Sequence, residues 1–170
     1  RLRCKPHGAS TTCRHKYCGT AGNVCGHVLD AEGQHARICK VGGAIVRRHD
    51  RIRDWLAKWL AKMLDQQGAT EQYVPKWDRW RTNSQGVAEL ERARLDVVFH
   101  GVAGPVYNDV AIVEAGAGSL HARRLRAKQD GEAAAHEEDD KRKRYPGPDL
   151  VPFVVEAGGR LGEAAETLIR

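Results

Sequence analysis

The sequence predicts an α/β protein preceded by a small Cys/His module, and three observations carry that reading. All five cysteines (Cys4, Cys13, Cys18, Cys25, Cys39) lie within the first 39 residues. From Ile45 onward the pattern becomes an apolar stripe of helical period. Beyond residue 93, apolar segments of strand character alternate with a polar helical stretch, as expected where helices cover a sheet. The expected division is 1–43 for the module and 44–170 for the α/β domain.

Composition sets the frame for those elements. A chain of 170 residues has room for a compact domain of about 130 residues and an appendage that needs a staple. With 41% hydrophobic and 29% charged residues, the profile is that of a folded protein rather than a disordered one. A net charge of +6 favours an anionic partner such as nucleic acid. No run of about 18 apolar residues could span a bilayer, and RLRCKPHGAS lacks the apolar segment of a signal peptide. A soluble intracellular protein with no membrane partner is the expectation. The chain starts at Arg1 and stops at Arg170 inside a helical stretch, which reads as a piece of something longer.

The first 43 residues are rich in Gly, Cys and His and show no sustained apolar period. Five cysteines is an odd number, they are interspersed with His7, His15, His27 and His35, and none occurs later in the chain. That pattern points to metal ligation, with Zn2+ as the expected ion, in a reducing compartment rather than to a disulfide framework.

Ile45, Ile52, Trp55, Leu56, Trp59, Leu60, Met63 and Leu64 then define one buried helical stripe, with Arg47, Arg51, Asp54, Lys58, Lys62 and Asp65 opposite. Gly68 is expected to end this helix. Glu71 to Val74 is a short strand before Pro75, followed by a polar loop holding Trp77 and Trp80. Ala93, Leu95, Val97 and Phe99 alternate with Arg94, Asp96 and His100, the period of a strand with one buried face. After the GVAGP turn, Val106 to Ala115 is a second strand, so the two read as a hairpin. Residues 119–145 are helical in composition until Pro146 and Pro148 end the run. VPFVVE (151–156) has the continuous apolar character of a central, doubly covered strand, and a last helix starts near Leu161.

Two aspartates stand out because Asp is disfavoured inside strands, and a charge among apolar neighbours needs a counter-charge or a metal. Asp96 and Asp109 each sit mid-strand, within hairpin reach of each other. A hard divalent cation, Mg2+ (or Mn2+), takes two or three such oxygens. Glu71 is a plausible third, and Glu114 an alternative acidic neighbour. Two plainer readings stay open: Asp96 pairing with Arg92 or Arg94 while Asp109 ends a turn, and the KRKR run as a surface patch.

Four stretches in order, CGHVLDAEGQHARICKVGG with RRHDRIRD, then RLDVVFHG, YNDVAIVEA and KRKRYPGPDLVPFVVEAGGRLG, resemble the C-terminal region of non-LTR retrotransposon proteins. In that family a Cys/His zinc knuckle precedes a restriction-like endonuclease of the PD-(D/E)XK superfamily, with an αβββαβ core. The resemblance spans residues ~13 to 170 and is moderately specific, through the order of its pieces more than any one of them.

The resemblance places Asp96 at the aspartate of "PD", with Leu95 where proline would stand, and Asp109 at the acidic position of "(D/E)XK". Ala111 occupies the lysine position, a departure from the pattern. Related nucleases supply that lysine from the following helix, which points to Lys141, one turn before an anchoring Tyr145, with Lys143 as the alternative. Glu71 matches the first-motif glutamate. The implied catalytic set is Asp96, Asp109, Lys141 and Glu71, with Mg2+ on the three carboxylates. His35 and Cys39 form a close ligand pair, Cys25 begins the knuckle, and Cys13 completes the zinc tetrad because TCRH fits the family pattern better than the setting of Cys18. Phosphate contacts are expected from Arg47, Arg48, Arg51, Arg123, Arg124, Arg126, Lys143 and Arg144. The implied partners are double-stranded DNA and the element's RNA, the implied activity is DNA nicking, and the implied location is the nucleus. Two competing readings are a zinc-stapled nucleic-acid-binding module with an inactive nuclease fold, and a zinc-binding protein-interaction domain.

Overall fold

The computed structural model describes residues 12–16, 24–29, 33–101, 104–114 and 131–170. The chain divides into two compact units, Arg1–Arg47 and Arg48–Arg170.

In the first unit, the bridges Thr12↔Val28 and Lys16↔Val24 hold two short segments antiparallel. Backbone bonds from Cys13 N to His27 O (2.7 Å) and from Cys25 N to His15 O (2.8 Å) lock their register. The short helix α1 (Gln34–Ile38) follows, then a single 3-10 turn, Val41–Gly43. Gly42 has φ 77°, and a Cβ there would lie 3.1 Å from the Lys16 carbonyl, so the turn needs glycine on both counts. Cys13 and Cys39 are the only buried hydrophobic residues among those described here.

Helix α2 (Ala44–Leu64) forms where the sequence predicts it, but only part of its apolar stripe is covered. Leu56 and Leu60 are buried and Ile52 and Trp59 pack beside them, whereas Trp55, Met63 and Leu64 are exposed. Gly68 does not end the helix. Asp65 takes the left-handed position, with φ 50°, and Gln66 N returns to Ala61 O at 3.2 Å, the six-to-one bond of a Schellman cap. Gly68 is required for a different reason: a Cβ there would sit 2.4 Å from the ring of Phe99, which is itself 1% exposed. Gly68→Ala should therefore cost roughly 1–3 kcal/mol through overpacking. A lower urea midpoint with unchanged denaturant slope checks this.

The sheet of the second unit contains β1 (Ala69–Tyr73), β4 (Arg94–Gly101), β5 (Gly104–Val113) and β6 (Leu150–Glu156), in the order β1-β4-β5-β6. β1 and β5 are antiparallel to β4, while β6 runs parallel to β5. Helices α3 (Glu132–Arg144) and α4 (Glu163–Ile169) complete the unit. The fold is thus mixed α/β with a mixed sheet.

Three expectations need correction. The loop expected around Trp77 and Trp80 is a 3-10 turn (Pro75–Trp77) followed by a separate hairpin of β2 (Arg79–Thr82) and β3 (Ala88–Glu91). Trp77 is buried there, donating from Nε1 to Pro146 O at 2.9 Å. β4 has two covered faces rather than one, since Leu95 to Phe99 are all buried. Leu95 and Val98 join Trp77, Tyr107 and Tyr145 in one cluster, while Val97 and Phe99 join Leu56, Leu60, Val110 and Phe153 in the other. β6 lies at the sheet edge, not its centre. Its apolar run arises because α3 and α4 both pack on it, and the edge position tolerates Pro152, which has no N–H for a ladder.

Candidate functional site

The first unit gathers Cys13, Cys25, His35 and Cys39, whose ligand atoms all lie within 4.8 Å of one another. The sulfurs of Cys13 and Cys39 are 3.7 Å apart, and Cys25 Sγ is 3.4 Å from His35 Nε2. With Zn–S bonds of about 2.3 Å, a tetrahedron has S···S edges of about 3.8 Å, which the Cys13–Cys39 separation matches, so the donor set fits a zinc ion. The surroundings also fit, because backbone N–H groups of His27 and Val41 point at the sulfurs of Cys25 and Cys39. His27 stacks on His35 at 4.3 Å and holds its ring in place. The His27 N–H lowers the pKa of the Cys25 thiol. Burial pushes Cys39 up to about 11, with the neighbouring sulfurs adding to the rise. These four are the tetrad that the sequence pattern and resemblance point to. Cys18, the alternative first ligand, lies outside the described residues.

In the second unit a different constellation forms where β4 and β5 part. Their ladder ends at Val97↔Asn108, so the next residues outward, Asp96 and Asp109, are not paired with each other, although Asp109 keeps its place opposite Pro152 of β6. Asp96 Oδ2 accepts the Val110 N–H at 2.6 Å. Lys141, on α3, reaches Asp109 Oδ2 at 2.5 Å, with both side chains mostly buried. Tyr145, one turn beyond Lys141, is buried in a cluster with Leu95, Val98 and Tyr107 of the sheet, which packs this end of α3 against it. Ala111, two residues after Asp109, carries no charge, and the cation beside Asp109 is Lys141 from α3.

His49, which the sequence suggests is merely a polar residue near a helix start, belongs to this group. Its Nε2 lies 3.3 Å from Asp96 Oδ2 and 3.3 Å from the Val110 carbonyl. The bond to Asp96 raises the imidazole pKa to about 9 despite its partial burial, so the ring is a cation at neutral pH. For Asp96, burial acts to raise the pKa, but His49 and the Val110 N–H more than offset it and the net shift is downward. For Asp109, burial and the adjacent Asp96 carboxylate outweigh the pull of Lys141, and the net shift is upward. Two close carboxylates with opposite shifts, flanked by two cations, form a compact charged site in the buried part of the sheet.

Glu71 does not join them. It adopts φ 53° within β1 and ion-pairs with Arg53 at 2.6 Å on the surface, Arg53 also meeting Asp50 and Asp54. The expected phosphate-contacting residues are scattered. Arg51 is exposed and Arg48 half-buried, Arg47 donates to Gly42 O at 2.6 Å, Lys143 pairs with Asp140 and Arg144 with Glu91. Arg123, Arg124 and Arg126 lie outside the described residues. Among the described residues, no helix is long and apolar enough to cross a membrane. No family model, curated protein or solved structure matches the chain.

Proposed function

We propose that the chain is a metal-dependent DNA endonuclease with a restriction-like core of the PD-(D/E)XK type, preceded by a structural zinc knuckle, of the kind found in non-LTR retrotransposon proteins. The observation that carries this reading is the meeting of Asp96, Asp109 and Lys141 where β4 and β5 part. Three of the four residues that the resemblance nominates meet from separate elements, and Asp109 contacts the helical lysine that would replace the one missing at Ala111.

Asp96 and Asp109 would hold Mg2+ or Mn2+, whose chemistry when bound is to polarise a phosphate oxygen and lower the pKa of a coordinated water. Asp96 suits that task because its low pKa keeps it ionised, and His49 and the Val110 N–H fix its orientation. Lys141 supplies a fixed positive charge beside the scissile phosphate, where charge accumulates as the water attacks. Hydrolysis would leave a 5′-phosphate and a 3′-hydroxyl, and by the resemblance that hydroxyl would prime reverse transcription. Glu71 is left out of the catalytic set. In the first unit the tetrad braces a segment with little apolar core.

Cleavage of supercoiled plasmid tests the reading. Mg2+-dependent nicking is expected from the wild type, and loss to background from Asp96→Ala and from Asp109→Ala. If the wild type binds DNA and never nicks it with Mg2+ or Mn2+, the chain is instead a nucleic-acid-binding module on an inactive nuclease fold.

A further inference from the structure

Lys141 faces two carboxylates. Its ammonium lies 2.5 Å from Asp109 Oδ2 and 3.9 Å from Glu137 Oε1, and the Glu137 side chain is 36% exposed where that of Asp109 is 13%. Glu137 stands one helical turn before Lys141 on α3, the order in which an acid and a base attract best along a helix. Its neighbours on that helix have nearer partners. Glu138 accepts from Arg142 at 3.2 Å and from the Ala164 N–H at 3.1 Å. Asp139 pairs with Arg142 at 3.6 Å, and Asp140 with His136 at 3.4 Å and Lys143 at 3.5 Å. Among the described residues, the cation beside Glu137 is Lys141, at the outer limit of an ion pair.

We infer that Glu137 is a positioning residue: it takes over the Lys141 ammonium when Asp109 turns its carboxylate to a divalent cation. The inference rests on the reading of Asp96 and Asp109 as that cation's ligands. Asp109 is mostly buried, and there an ammonium and a metal ion on one carboxylate repel strongly. Lys141 therefore has to give way, yet it must stay near to act on the phosphate. Its flexible stem of four methylenes allows this without moving the helix, whose C-terminal end is fixed by buried Tyr145. The shift carries the ammonium toward the more exposed Glu137, so it regains water as it leaves Asp109. Glu138 does not offer the second seat, being 3% exposed and already bonded to Arg142 and to the Ala164 N–H.

Titration of Mn2+ into the zinc-loaded full chain, followed by the electron paramagnetic resonance of free Mn2+, reads this without any cleavage. Wild type should bind Mn2+ at a site that Asp96→Asn loses. Glu137→Gln should weaken that binding about three-fold or more, above the roughly two-fold expected of an exposed helical ion pair, and should leave the urea midpoint without Mn2+ unchanged. Lys141→Gln, whose amide still donates to Asp109, should bind Mn2+ about ten-fold more tightly, the lower end of what one nearby like charge does. Adding Glu137→Gln to Lys141→Gln should then change nothing, which separates a seat for the lysine from a general pull of negative charge on the metal. Equal Mn2+ affinity in wild type and Glu137→Gln, or the same loss in both backgrounds, overturns the inference and leaves the metal site standing. Absence of Mn2+ binding by the wild type overturns both.

Discussion

Cys39→Ser is expected to cost the protein its zinc and the order of residues 12–16, 24–29 and 33–43 around it. Among the described residues of that unit only Cys13 and Cys39 are buried hydrophobics, so apolar burial contributes little to its folding. A structural zinc contributes about 10–16 kcal/mol of apparent binding free energy to such modules, far above what two antiparallel bridges and a five-residue helix could provide. Metal analysis should give one zinc per wild-type chain and none for Cys39→Ser, with collapse of amide dispersion for residues 12–16, 24–29 and 33–43 in NMR spectra. Cys18→Ser should keep its metal. Retention of a full equivalent by Cys39→Ser would remove the tetrad from consideration.

The second large effect concerns Lys141. Lys141→Met should reduce plasmid nicking about 10²–10³-fold, the usual loss when one preplaced charge is removed from a transition state. It should also destabilise the fold by roughly 3–5 kcal/mol, because Asp109 is left buried without its cation. The two losses separate in Lys141→Met/Asp109→Asn, where the neutral amide no longer needs a partner. Urea unfolding should recover toward wild type while nicking stays at background. Lys143→Met serves as the control, since Lys143 is 76% exposed and tied only to Asp140. Wild-type nicking by Lys141→Met, with loss in Lys143→Met, would reassign the lysine.

Much of the acidic site was legible because Asp is disfavoured inside strands, yet Asp96 and Asp109 both stand mid-strand. That conflict is visible in one dimension, even though the alternation around Asp96 turns it toward the polar face. Lys141 needed the resemblance, since four basic residues in a row look alike until Tyr145 fixes which of them faces the sheet. His49 was missed although a signal existed: it lies four residues after Ile45 and three before Ile52, on the apolar stripe of α2, where a polar side chain calls for a partner. That partner is 47 residues away, and no local pattern encodes it. The β2–β3 hairpin was missed because its apolar side faces solvent and its charged side is paired, so its alternation resembles that of a loop. Gly68 was correctly marked as special for the wrong reason, because a close approach to a ring 31 residues distant leaves the same letter as a helix cap.

The sheet has two edge strands, and each carries its own obstacle to an incoming chain, β6 being also bridged at Val155 by Leu161. On β1, Glu71 turns the backbone into a left-handed twist halfway along the strand, so a partner laid there would lose its bonds after two or three residues. On β6, Pro152 interrupts the row of donors that a guest strand would use. Both edges are thereby guarded against fibre growth by strand addition.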